Sequence, residues 1–143
     1  MEYPALASGL SVVIGDSLYY IGDLYTGGAS VQRTHSSKIY VLNNGWKSYT
    51  GSPSIFTPRS GHSGTAIDGF IFIFGGQNES EGAVFSSSFK LDPVNFVWTK
   101  IADLPEPMHS SSCISYNSKA IIYGGANHQG PSNSLIVYNP GKS

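Results

Sequence analysis

Five large apolar residues closed by two glycines, Phe70-Ile71-Phe72-Ile73-Phe74-Gly75-Gly76, return in altered form on either side. Upstream the pattern reads Leu18-Tyr19-Tyr20-Ile21-Gly22-Asp23, and downstream Ala120-Ile121-Ile122-Tyr123-Gly124-Gly125. Gly22, Gly75 and Gly124 are spaced 53 and 49 residues apart. A run so short, β-branched and aromatic, predicts a strand buried on both faces; a helix needs about ten residues or more. Adjacent glycines predict a backbone at positive φ or one that passes close to a neighbour. A threefold repeat of this period constrains the fold before any local reading does.

The rest of each repeat follows in order. Pro4-Ala5-Leu6-Ala7-Ser8 aligns by its proline with Pro58-Arg59-Ser60-Gly61-His62 and with Pro107-Met108-His109-Ser110-Ser111. Strands of small and apolar residues come next, at 10–14, 63–67 and 112–116. Short turns rich in Gly, Asp, Asn and Ser then close hairpins onto the apolar runs. A long polar loop follows each run, then a third strand at 38–42, 88–91 and 134–138. Trp46 and Trp98 mark fourth strands at 46–49 and 96–101, while the third copy ends at Asn139-Pro140-Gly141 before any such strand. Four antiparallel strands repeated at about 50 residues predict propeller blades.

At this point the chain resembles the kelch repeat of the galactose oxidase/kelch superfamily. The resemblance rests on the apolar run with Gly75-Gly76, the apolar residue before Asp92-Pro93, and Trp98. The first repeat departs from it with Asp23 for the second glycine and a shorter turn before Trp46; the third lacks a tryptophan. The expected fold is all-β: a kelch-type β-propeller fragment with two complete four-stranded blades and a third incomplete one. A single domain over 1–143 is expected, with repeats at approximately 4–57, 58–107 and 108–143. Gly22, Gly75, Gly76, Gly124, Gly125, Trp46 and Trp98 are its expected structural residues. Because a propeller closes with roughly four to eight blades, the end blades are expected to be covered by remaining blades or by self-association.

Composition narrows the function. Net charge is −1 and only 12% of residues are charged, without a basic cluster. That speaks against nucleic acid or an anionic membrane surface as partner. No apolar run approaches the roughly 20 residues of a membrane helix. Met1-Glu2-Tyr3-Pro4 does not read as a signal peptide. Cys113 is the single cysteine, so no internal disulfide forms and a cytoplasmic setting is slightly favoured. Asn78-Glu79-Ser80 is a glycosylation sequon.

No Gly-x-Ser-x-Gly, phosphate loop or Cys/His metal spacing occurs, so neither catalytic residues nor a cofactor or metal are expected. Loop length points to binding instead. The strand 1–2 and 3–4 turns are short, whereas the strand 2–3 loops and the inter-blade links are long, and rigid scaffolds carry function on their loops. The kelch resemblance implies the same face and a protein partner. The candidate partner-binding residues are Arg33, His35, Arg59, Gln77, Asn78 and His128, with Arg59 read either as a bidentate grip on a partner's carboxylate or phosphate or as pairing with a neighbouring blade's backbone or acid. The expected function is a non-enzymatic protein-interaction scaffold. The alternatives are a fragment of a galactose-oxidase-like or carbohydrate-active secreted propeller, and a remnant without function.

Overall fold

Strand β6 (Phe70–Phe74) shows why the repeat folds as it does. Its side chains alternate between two cores, as the period of a strand requires. Ile71 and Ile73 join one buried cluster with Ile21, Ile39, Leu91 and Trp98. Phe72 and Phe74 join another with Leu104, Met108, Ala120 and Ile122. The sheet that carries β6 is thus sandwiched between two others, and the strand is buried on both faces.

The structure is a computed structural model and describes residues 7–25 and 34–141. Its first sheet runs in the order β1 (Leu10–Ile14), β2 (Ser17–Tyr25), β3 (Thr34–Leu42), β4 (Trp46–Tyr49). The second contains β5 (Ser63–Ile67), β6, β9 (Ser88–Asp92) and β10 (Val97–Ile101), interrupted by the small ladder of β7 (Gln77–Asn78) and β8 (Ala83–Val84). The third contains β11 (Ser112–Tyr116), β12 (Lys119–Tyr123) and β15 (Leu135–Tyr138), interrupted by the ladder of β13 (Ala126–Asn127) and β14 (Gly130–Pro131). Every pairing between strands is antiparallel. The helical content among the described residues is one 3-10 turn, Glu79–Glu81. Two full blades and a three-stranded third blade make a partial kelch propeller, without ring closure.

Two details depart from the sequence reading. The long 2–3 loops are not plain loops, because their ends pair in the β7–β8 and β13–β14 ladders. The proline-based alignment of the first lead-in is also one residue out of register. The inner strands begin at Leu10, Ser63 and Ser112, so Ser8 matches Gly61 and Ser110. All three have positive φ, at 60°, 65° and 61°. They also form a backbone chain from blade to blade: Gly61 N–H donates to Ser8 O at 2.8 Å and Ser110 N–H to Gly61 O at 2.7 Å. Residue type hid this equivalence, since two of the three positions hold a serine at positive φ, at a cost of roughly 1–2 kcal/mol each, where the third uses glycine.

Candidate functional site

The turns between strands 1 and 2 and between 3 and 4 gather on one side of the blades. Ser17 and Asn43 meet there, with Asn43 Nδ2 donating to Ser17 Oγ at 2.9 Å. The other side carries the two small ladders and the inter-blade links, and these are bonded to one another. Ser60 and Gln77 exchange backbone hydrogen bonds at 2.8 and 2.9 Å, and His109 and Ala126 do so at 2.9 Å. Each link is therefore stitched to the 2–3 loop of the blade it enters.

Arg59 is the strongest fastener. It is 1% exposed. Its Nη1 donates to Gly75 O at 3.1 Å and Ser87 Oγ at 2.9 Å, Nη2 donates to Thr57 Oγ1 at 2.9 Å, and Nε donates to Thr57 O at 3.1 Å. The guanidinium lies over the Phe85 ring at 4.1 Å. Burial lowers its pKa to about 10, which leaves it charged at neutral pH. Of the two readings of Arg59, this burial favours the internal pairing, since the bonds above end on the protein's own oxygens. In the third blade the same fastening uses an acid. Glu106, in the following link, accepts from Ser132 Oγ at 2.8 Å and Ser134 Oγ at 2.7 Å, and these bonds hold its carboxyl below the usual range. Sequence reasoning passed over Glu106, and its offset of 49 from Thr57 is the signal that finds it.

The glycines serve this stitching. Gly75 sits at φ 63°, and a Cβ there would strike Met108 O of the next link. Gly76, at φ 111°, donates its N–H to that same Met108 O at 2.8 Å. At Gly22 a Cβ would meet His62 Cε1 at 2.6 Å and Arg59 O at 3.1 Å. Gly125 at φ 89° is crowded by Ser111 and His109, whereas Gly124 at φ 74° meets only Ser132 O at 4.0 Å. His62 spans blades one and two. Its Nε2 donates to Ile21 O at 2.7 Å, and a carbonyl can only accept, so the proton is on Nε2 and Nδ1 is bare. Burial pushes this imidazole down to about 4, opposed by the Ile21 bond and assisted by nearby Arg59.

The five described candidate binding residues are not brought to one surface. Arg33 lies outside the described residues. His35 is buried with Nε2 at 3.1 Å from Ser60 Oγ. Asn78 is buried, and its Nδ2 donates to Pro58 O at 3.2 Å. Gln77 is half-buried in β7. Of the five described, His128 is the exposed one, between β13 and β14, beside exposed Gln129. Glu79, Ser80 and Glu81 are exposed between β7 and β8. Polarity suggested binding, but a close-packed seam between loops needs polar groups for its own backbone. Of the two tryptophans, Trp98 is 4% exposed, while Trp46 is only half-buried because no blade flanks it among the described residues.

Similarity to known proteins agrees with this architecture. The chain is 26% identical over 124 residues to Kelch domain-containing protein 3 of Homo sapiens, covering 80% of this chain and 32% of that protein. It is 28% identical over 123 residues to Kelch-like protein 35 of Mus musculus, covering 84% and 20%. It is 29% identical over 102 residues to Beta-scruin of Limulus polyphemus, covering 66% and 11%. The chain thus spans about a third or less of these relatives. The KLHDC2/KLHL20/DRC7 Kelch-repeats domain matches residues 8–143, nearly the whole chain. The chain belongs to the kelch-repeat family.

Proposed function

We propose that this chain is a non-enzymatic protein-interaction scaffold that binds its partner through the face carrying the β7–β8 and β13–β14 loops. The carrying observation is the contrast between the faces. One has only turns of a few residues; the other projects two ladders anchored at their base by Arg59 and Glu106. A rigid base with exposed tips is what recognition by loops requires. The kelch-repeat relatives support the protein-binding role.

The test compares two sets of substitutions by calorimetric titration with an isolated partner. Gln77→Ala, Glu81→Ala and His128→Ala together are expected to weaken binding about tenfold or more. Asp16→Ala, Asn95→Ala and Lys119→Ala, on the short-turn face, are expected to change it less than about twofold. The reverse result would sink the choice of face.

A further inference from the structure

Thr57, Pro58 and Arg59 stand in the link between blades one and two where Glu106, Pro107 and Met108 stand in the next link, 49 residues on. The loops that these links meet correspond as well. Ser87 O accepts from Gly75 N–H at 3.1 Å, and Ser134 O accepts from Gly124 N–H at 3.2 Å. In the later link an acid faces this loop, with Ser134 Oγ donating to Glu106 Oε1 at 2.7 Å. In the earlier link the same position holds a hydroxyl, and it lies beside a cation. Thr57 Oγ1 accepts from Arg59 Nη2 at 2.9 Å. The other acceptors that this guanidinium meets among the described residues are Thr57 O, Gly75 O and the two Ser87 oxygens, all uncharged.

Two hydroxyl residues precede a proline in this chain, Ser52 and Thr57. Both are exposed, and so are the prolines that follow them. Ser52 is held flat against β10, its N–H donating to Phe96 O and its carbonyl accepting from Trp98 N–H, both at 2.9 Å. Thr57 is free of such a ladder, because residues 53–59 belong to no strand. Proline keeps the residue before it extended, so the Thr57 hydroxyl is presented on an extended, accessible backbone.

We propose that Thr57 is a phosphorylation site for a proline-directed protein kinase and that Arg59 receives the phosphate. The γ-phosphoryl group of a nucleoside triphosphate passes to Thr57 Oγ1. The Oγ1–P bond forms, the P–O bond to the nucleoside diphosphate breaks, and the hydroxyl proton goes to the kinase's base. The terminal phosphate oxygens then stand one bond beyond phosphorus, within reach of the Nη2 that already points at Oγ1. An ester oxygen is a poor acceptor, so Nη2 bonds to those charged oxygens instead, and the bond becomes charge-assisted and stronger. The new charge takes the place that the Glu106 carboxylate holds in the next link, so an acid fits the repeat there. Arg59 also holds Gly75 O and Ser87 Oγ, so the phosphate tightens the base of the β7–β8 loop. The site depends on the seam between link and loop, not on which face binds a partner.

The test treats the 143-residue chain with magnesium ATP and a purified proline-directed serine/threonine kinase, beside a synthetic peptide copying residues 50–60. Tandem mass spectrometry should place one phosphate on Thr57 of the folded chain and none on the Thr57→Val chain. At about pH 8, where the phosphate is a dianion, phosphorylation should raise the urea midpoint by about 0.5 M. Phosphorus NMR should show its second ionisation below the ordinary value of about 6 and below that of the phosphorylated peptide, since a fixed guanidinium favours the dianion. In Arg59→Met, which copies the next link, both effects should disappear; if that variant fails to fold, the comparison of chain with peptide still decides. Phosphorylation of the peptide but not the chain, transfer to Ser52 instead, or transfer to neither would overturn the inference. So would a phosphate on Thr57 that titrates as it does in the peptide and leaves the midpoint unchanged.

Discussion

Arg59 and Met108 hold the same position in consecutive links, 49 residues apart, and both are about 1% exposed. One fills its place with a hydrogen-bonded cation, the other with an apolar chain. Arg59→Ala is expected to lower stability by about 3–5 kcal/mol, because it opens a cavity and leaves Gly75 O and the Ser87 and Thr57 hydroxyls without their donor. Denaturant titration checks this, and a loss below about 1 kcal/mol would show that the guanidinium is not a fastener. Gly75→Val should fail more severely, through both its left-handed backbone and the encroaching Met108 carbonyl; soluble, cooperatively unfolding Gly75→Val protein would disprove the latch. His62 links stability to pH. Its pKa is about 4 when folded and the ordinary 6.5 when unfolded. The unfolded chain therefore binds more protons between these values. Stability is full above pH 6.5 and declines toward pH 4 by on the order of 3 kcal/mol. His62→Gln should remove this part of the acid sensitivity, measured as the difference between urea midpoints at pH 7 and pH 4.5 in the two proteins.

At the scale of the element, β4 and β10 carry the same signature and differ in surroundings. Trp98 sits in the cluster between the first two blades, against Phe56 and Phe89. Trp46 has the matching register on β4, opposite Leu42 as Trp98 is opposite Leu91, yet it is only half-buried. Trp98→Ala is expected to cost about 3–5 kcal/mol, and Trp46→Ala at most about half as much in this chain. Equal losses in denaturant titration would contradict this account of inter-blade burial. The reading of strand type and position from alternation and turn residues agrees with the structure: β1, β5 and β11 begin and end where the sequence pattern places them. The ladders β7–β8 and β13–β14 escaped it, since two-residue strands have no periodicity to read.

At the scale of the whole molecule, the blades are not equivalent. The second is covered on both faces by its neighbours, whereas the third exposes Ile114, Tyr116, Leu135 and Val137 on its far side, each at least 53% accessible. Local opening follows burial and contact density. Amides of β6 and β9 should therefore exchange most slowly, and those of β15 should exchange faster than those of β9. Hydrogen-exchange mass spectrometry on the free chain measures this, and uniform protection across the three sheets would mean that the blades open as one unit.

The repeat, the strand order within each blade and the need for glycine at Gly75 were legible in the chain, because alternation and turn chemistry are local and the period is printed three times. The kelch resemblance was legible for the same reason. The fate of the polar loop residues was not. His35, Arg59 and Asn78 looked like binding groups, and tertiary structure buried all three in the seam where link meets loop. A sequence shows that a side chain is polar; it does not show whether water or another backbone will satisfy it. Only the packed blades decide that.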